Sequence, residues 1–332
     1  MTTNPGASGS SRVTALAGGV GGAKFAQGLQ RAVAPGDLTV VVNTADDFEH
    51  YGLRISPDLD TVLYTLGGLA NPVTGWGIEG DTFHTLDAIA AYGRDPWFKL
   101  GDRDFATHIL RTERLRTGAT LTDVMTELAT ALEIPSRILP MTDDPVATLV
   151  ETPAGLLEFQ DYFVGRQHAD DVTGVVFTGI DTARLPRGVV DALSSAGVIV
   201  FCPSNPIVSI GPLLAVAGLR DALEHRAAPV VAVSPLVGGK ALKGPADRML
   251  ATLGHEVSAV GVARIYTGLI DGLVIDDVDQ DLAPRIQDLG IEVLVTGTIM
   301  GGPEDRERLA AETLRFAQGL TPRLAVGAEA AQ

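Results

Sequence analysis

Six short apolar runs, rich in valine, leucine and isoleucine, recur along the chain, and most give way to a stretch with helical spacing. They are Val13 to Ala17, Leu38 to Asn43, Val198 to Cys202, Val230 to Ser234, Leu273 to Ile275 and Ile291 to Thr296. Strands that are apolar on both faces belong in a parallel sheet covered by helices. The pattern therefore predicts an α/β fold, a Rossmann-like and mainly parallel sheet. Between residues 58 and 136 the texture changes: Thr61 to Leu66, Thr82 to Tyr92, Phe105 to Thr112 and Leu121 to Leu132 read as helices with no strong strand between them. This predicts a helix-rich insertion at 58–136 in a core made of 12–57 and 137–320. Residues 146 to 163 read as a hairpin turning at Pro153-Ala154-Gly155. The polar ends, 1–11 and 321–332, are expected to be a disordered tail and a frayed one.

Charge narrows the partners. Lysine plus arginine number 25 against 41 aspartate plus glutamate, a net charge of −16. That argues against nucleic acid or an anionic membrane as a main partner, so any phosphate site has to be local. Cys202 is the single cysteine, which excludes an intramolecular disulfide and a cysteine metal cluster; it reads as a small buried hydrophobe. The opening MTTNPGASGSS lacks the basic start and apolar centre of a signal peptide. No apolar run approaches the roughly 18 residues of a membrane span. A soluble, cytoplasmic protein is expected.

The run LAGGVGGAKFAQGL follows the first strand. Its Gly18, Gly19, Gly21 and Gly22 permit the close backbone approach an anion requires, and Lys24 is expected in the first turn of the next helix. Two familiar fingerprints fail here: the dinucleotide pattern wants a glycine at 24, and the P-loop wants Gly-Lys-Ser/Thr where this chain has Ala23-Lys24-Phe25. NTADDFEH and SPDLD place Asp46, Asp47, Asp58 and Asp60 within fifteen residues, a donor set suited to magnesium beside a phosphate. In GDRDFATHILR, Asp102 reads as a helix cap, Arg103 as a phosphate grip, and Asp104 with His108 as a surface pair. Ser204 and Asn205 follow the third of these runs; Ser234, Gly238, Gly239, Lys240 and Lys243 follow the fourth. Three such turns along one sheet edge suggest a nucleotide crevice.

Taken together, AGGVGGAKFAQGL, NTADDFEHYGLRISPDLDTVLYTLGGL, KLGDRDFATHILRT, PSNPIVSIGPLLAV and VSPLVGGKALKGPA resemble the 2-phospho-L-lactate transferase family, whose actinobacterial members act as phosphoenolpyruvate transferases. The resemblance runs in order from about residue 13 to residue 270. It implies a magnesium-dependent transferase of substituted phosphate groups in coenzyme F-420 biosynthesis. A phosphoenolpyruvyl or 2-phospholactyl group would pass from a guanosine diphospho-linked donor to the ribityl hydroxyl of the deazaflavin Fo, releasing GMP. By resemblance the donor would be held by Gly18, Gly19, Gly21, Gly22, Lys24, Ser204, Asn205, Ser234, Gly238 and Gly239. Fo would face Asp60, Lys99 and Arg103 from the helical insertion; Asp60, Asp47 and Arg103 would carry catalysis; Asp46, Asp47, Asp58 and Asp60 would supply metal ligands. The resemblance also implies a homodimer. Ala45 stands where actinobacterial members tend to carry glycine, so the acid stays open among phosphoenolpyruvate, phospholactate and phosphoglycerate, with phosphoenolpyruvate placed first. The rival reading is a nucleotide-sugar-binding regulator of the gluconeogenesis-factor type, against which the SPDLDT and GDRD stretches count.

Overall fold

A computed structural model of the protein describes residues 12–167 and 169–322. The tail expected at 1–11 lies outside these residues, as does the one expected at 321–332 apart from its first two positions. Fourteen strands follow in chain order among them: β1 Val13–Ala17, β2 Leu38–Val42, β3 Phe48–His50, β4 Leu53–Ile55, β5 Arg137–Pro140, β6 Ala147–Thr152, β7 Gly155–Glu158, β8 Gly174–Thr178, β9 Val198–Phe201, β10 Val230–Val233, β11 Leu236–Val237, β12 Lys240–Ala241, β13 Gly272–Ile275 and β14 Glu292–Val295. Seven form one sheet in the order β14-β13-β10-β9-β1-β2-β5, every pair parallel. All six expected runs lie in it, and the α/β expectation holds.

The period of two along each strand divides the apolar side chains between two cores. Leu16, Val41, Ile199, Phe201 and Ala232 pack on one face, and Ala15, Ala17, Val40, Val42, Val200 and Val231 on the other. Helices α1 Gly19–Ala32, α2 Pro57–Leu66, α3 His84–Ala91, α4 Asp102–Arg116 and α5 Leu121–Ala131 precede β5. The second face is covered by α1 through Phe25, Ala26 and Leu29, by α2 through Leu59, Val62 and Leu63, by α5 through Val124 and Met125, and by the C-terminal helix Pro303–Gln318 through Leu309 and Ala310. Residues 43–136, the β3–β4 hairpin included, form the long crossover from β2 to β5. Its first and last helices pack in the main core, while Leu86 of α3 and Phe105 of α4 join Ile55 and Leu100 in a satellite core.

Strand β5 was not expected. It is four residues long, begins at Arg137 and ends at Pro140, and lies at the sheet edge, where proline is tolerated. The β3–β4 hairpin was also missed; it turns through Tyr51 and Gly52, both at positive φ (53° and 73°), a conformation that tyrosine seldom advertises. The expected hairpin at 146–163 is β6–β7, and β8 pairs with β6 on its other side. Among the described residues no helix is long and apolar enough to cross a membrane.

Candidate active site

From β1 the chain runs through α1 to β2 on one side, while β9 flanks β1 on the other. Connections diverge there, and in open parallel sheets ligands collect beyond the strand ends at such a point. Two hydrogen bonds close it: the Gly18 N–H donates to Ser204 Oγ (3.1 Å), and Ser204 Oγ donates to the Gly18 carbonyl (2.8 Å). Much of the glycine run is consumed by this packing. The Pro203 carbonyl leaves no room for a Cβ at Gly21, a Cβ at Gly22 would lie 2.6 Å from Ser204 Oγ, and one at Gly18 would lie 2.7 Å from Asp58 Oδ2. Helix α1 begins at Gly19, inside the run, so Lys24 falls in its second turn and not in its first as expected.

Of the four aspartates, Asp46 and Asp58 pair, while Asp47 and Asp60 each take other partners. Asn43 Nδ2, just past β2, donates to Asp46 Oδ2 (3.1 Å) and to Asp58 Oδ2 (3.0 Å), drawing two buried carboxyls together. Asp58 comes from the first turn of α2 and faces the Gly19 amide at the start of α1. Burial holds both carboxyls above the ordinary range; at Asp46 the neighbouring Asp58 charge adds to it. Asp47 turns the other way: Ser56 Oγ donates to its Oδ2 (2.7 Å), Arg54 Nε stands 3.9 Å off, and burial pushes it up to about 7. Asp46 Oδ1 and Asp47 Oδ1 are both buried without a hydrogen-bond partner. No group of three histidine, cysteine, aspartate or glutamate side chains stands ready for a metal among the described residues. Two close carboxylates with an open oxygen nevertheless suit magnesium, which binds through one or two carboxylates and completes its shell with water and phosphate.

Asp60 has a partner that the sequence reading passed over. Arg111, fully buried on α4, pairs with both oxygens of Asp60. Burial alone would lower the proton affinity of this guanidinium; the Asp60 charge overrides it and the net shift is upward. Behind the pair, His108 Nδ1 lies 3.7 Å from Asp60 Oδ2 and its Nε2 lies 3.2 Å from Asp104 Oδ1, to which Tyr64 donates at 2.6 Å. The expected surface pair of Asp104 and His108 is therefore corrected: both are buried. Asp104, His108 and Arg111 stand at i, i+4 and i+7, one stripe of a helix, and that spacing was the available signal.

Other expected residues are placed more loosely. Asp102 caps α3 and not its own helix: its carboxylate accepts from Thr82 Oγ1 (2.6 Å) and from the His84 and Thr85 amides (3.0 and 2.9 Å), which hold it far below the usual range. Asp81 returns the service, accepting from the Arg103 and Asp104 amides that open α4. The Arg103 side chain is exposed and donates to the Glu79 carbonyl (3.3 Å); Lys99 is exposed as well. Asn205 Oδ1 accepts from the Ile207 amide (2.9 Å) in a tight turn. Ser234 Oγ is engaged with the backbone of Leu236, and Gly238 and Gly239, both at positive φ, make the two-residue turn between β11 and β12. These turns follow β9, which neighbours β1, and β10, the next strand beyond it, so all three expected loops lie along one edge of the parallel sheet.

A family model described as 2-phospho-L-lactate transferase CofD matches residues 13–293. The chain belongs to this family. A phosphoenolpyruvate transferase of Streptomyces griseus is 43% identical over 313 residues, covering 92% of this chain and 98% of that one. A 2-phospho-L-lactate transferase of Methanosarcina mazei is 41% identical over 295 residues, covering 89% and 97%. Among solved structures, a UPF0052 family member from Bacillus halodurans matches with a TM-score of 0.61 at 16% identity, over 91% of this chain and 99% of that one, a likeness of fold alone. The transferase family runs the whole length of the sheet, from β1 to the start of β14.

Proposed function

We propose that this chain transfers a phosphoenolpyruvyl or 2-phospholactyl group from a guanosine diphospho-linked donor to the ribityl hydroxyl of Fo, releasing GMP, in coenzyme F-420 biosynthesis. The observation that carries this reading is the meeting of two chemistries at one point. The first turn of α1 offers backbone amides to a phosphate chain, and Asp58, drawn to Asp46 by Asn43, lies against Gly18 and Gly19 at the same point. Relatives named for both acids share two fifths of the sequence over nearly the whole chain. Phosphoenolpyruvate is placed first because the relatives at 42–43% identity carry that name.

Asp46 and Asp58 would hold magnesium; when bound, it neutralises phosphate charge and so lowers the cost of attack. The rest falls to the chain. The Val20 amide orients the donor at the helix start, beside the Gly19 amide that Asp58 holds. The Fo hydroxyl oxygen forms a bond to the phosphorus of the phospho-acid as the bond from that phosphorus to GMP breaks in line. The hydroxyl proton passes to Asp47 Oδ1, an open oxygen on a carboxyl whose proton affinity near 7 suits a general base. Asp60, fixed by Arg111, lines the acceptor side as a positioned charge, with Arg103 and Lys99 at its rim. Positioning and electrostatics supply most of the acceleration. A homodimer is proposed with it.

Incubation with Fo, magnesium and each of the three guanylylated acids tests this, following GMP release and product mass. GMP released only when Fo is present, with a product heavier than Fo by the phospho-acid, is the expected result. No Fo-dependent GMP with any donor overturns it.

A further inference from the structure

We propose that Lys24, Lys243 and Arg306 form a cationic clamp along the first three turns of α1 that grips the phosphate chain of the nucleotide donor. The inference rests on the transferase reading and adds residues to its site, one of them on the C-terminal helix, beyond the stretch that defines the family.

Three separate segments bring these cations to α1. Lys243 Nζ donates to the Thr74 carbonyl (2.5 Å), and a Cβ at Gly75 would lie 3.2 Å from that Nζ and 2.6 Å from Val20 Cγ1, so the loop around 74 and Lys243 both sit over the first turn. Arg306 reaches α1 from the other end of the chain. Its carbonyl leaves no room for a Cβ at Gly28, its guanidinium donates to Gln27 Oε1 (2.5 Å), and its Nε is buried without a partner. Lys24 lies between them on the same helix. Burial lowers the proton affinity of its ammonium, and the charges of Arg306 and Lys243 lower it further.

None of the three has a carboxylate partner among the described residues, although acidic groups outnumber basic ones 41 to 25. Arg31, two turns further along α1, shows the ordinary outcome: it pairs with Glu307 at 2.8 Å. Folding that gathers like charges and leaves them uncompensated costs energy, which a bound anion returns. Helical side chains lean towards the N-terminus, so Lys24 reaches back towards the first turn of α1 and the Val20 amide. A phosphate chain there meets the helix start on one side and three cations on the other, the guanidinium held against Gln27 and the ammoniums acting as point charges.

Inorganic pyrophosphate titrated calorimetrically without magnesium is the probe. Lys24→Gln, Lys243→Gln and Arg306→Gln should each weaken it about tenfold, while Arg31→Gln leaves it unchanged. Lys24→Arg should retain binding, which separates charge from packing. Lys24→Gln should also leave the ligand-free Tm equal or higher, because it relieves repulsion. Equal affinity across the series, no binding by the unaltered protein, or a Lys24→Arg loss as deep as that of Lys24→Gln overturns the clamp. The two readings fail separately. Charge-dependent pyrophosphate binding without Fo-dependent GMP release keeps the clamp and removes the transferase; GMP release with an unchanged donor KM in all three glutamine variants does the reverse.

Discussion

Asp47 shows how a single side chain joins stability to chemistry. Its carboxyl is buried and binds its proton up to about 7, well above an unfolded chain's aspartate near 4. The native state therefore holds the proton more tightly than the unfolded one. The stabilising contribution is full below about pH 4 and is lost as pH rises through about 7. Asp47→Asn cannot ionise, so the variant should gain on the parent protein as pH rises. Thermal melts in chelator should show nearly equal Tm at pH 4 and a higher Tm for the variant at pH 8, while GMP release falls at least a hundredfold, the usual scale for a lost general base. A Tm difference independent of pH would place Asp47 in its ionised form throughout. Arg111 carries the opposite lesson at this scale. A buried arginine is tolerable only beside a charge, and its partner Asp60 lies fifty-one residues away, a distance across which sequence spacing is silent.

At the scale of elements, the helices of the crossover are tied by exchanged carboxylates. Asp102 opens α4 yet caps α3, and Asp81 precedes α3 yet caps α4. Sequence reasoning recognised Asp102 as a capping residue, because aspartate near a helix start satisfies free amides. It could not tell which helix, because both starts are within reach only once α3 and α4 pack. Asp102→Ala should lower stability through the lost cap and should be felt first at α3. Hydrogen exchange should quicken at the His84 and Thr85 amides, with those of α5 unaffected; uniform quickening would show that the cap holds the whole crossover. The glycines of α1 make a related point. Their density was legible as close approach, but the approaching groups are Pro203, Ser204 and Asp58, each from a distant segment.

For the whole molecule, the position of the site follows from strand order. Placing β9 and β2 on either side of β1 opens the crevice, and the same order carries Asn43, at the end of β2, to within hydrogen-bond reach of two carboxyls. Magnesium bound there should stabilise the folded state, since a ligand of the native protein alone shifts unfolding by mass action. Added magnesium should raise the Tm of the parent protein, chelator should reverse the gain, and Asp58→Asn should abolish it; an undiminished gain in Asp58→Asn would move the metal elsewhere. The sequence by itself determined the α/β class, because strand-length apolar runs can be buried only in a sheet covered on both faces. It also determined the family, because its motifs lie in order along the chain, and the turns that follow β1, β9 and β10, because glycine-rich and polar stretches come directly after those apolar runs. Tertiary structure alone decided how the aspartates pair, which helix each cap serves, that Arg111 neutralises Asp60, and that Arg306 approaches Lys24. Those are contacts between segments tens to hundreds of residues apart, and charge pairing acts through space with no period along the chain to announce it.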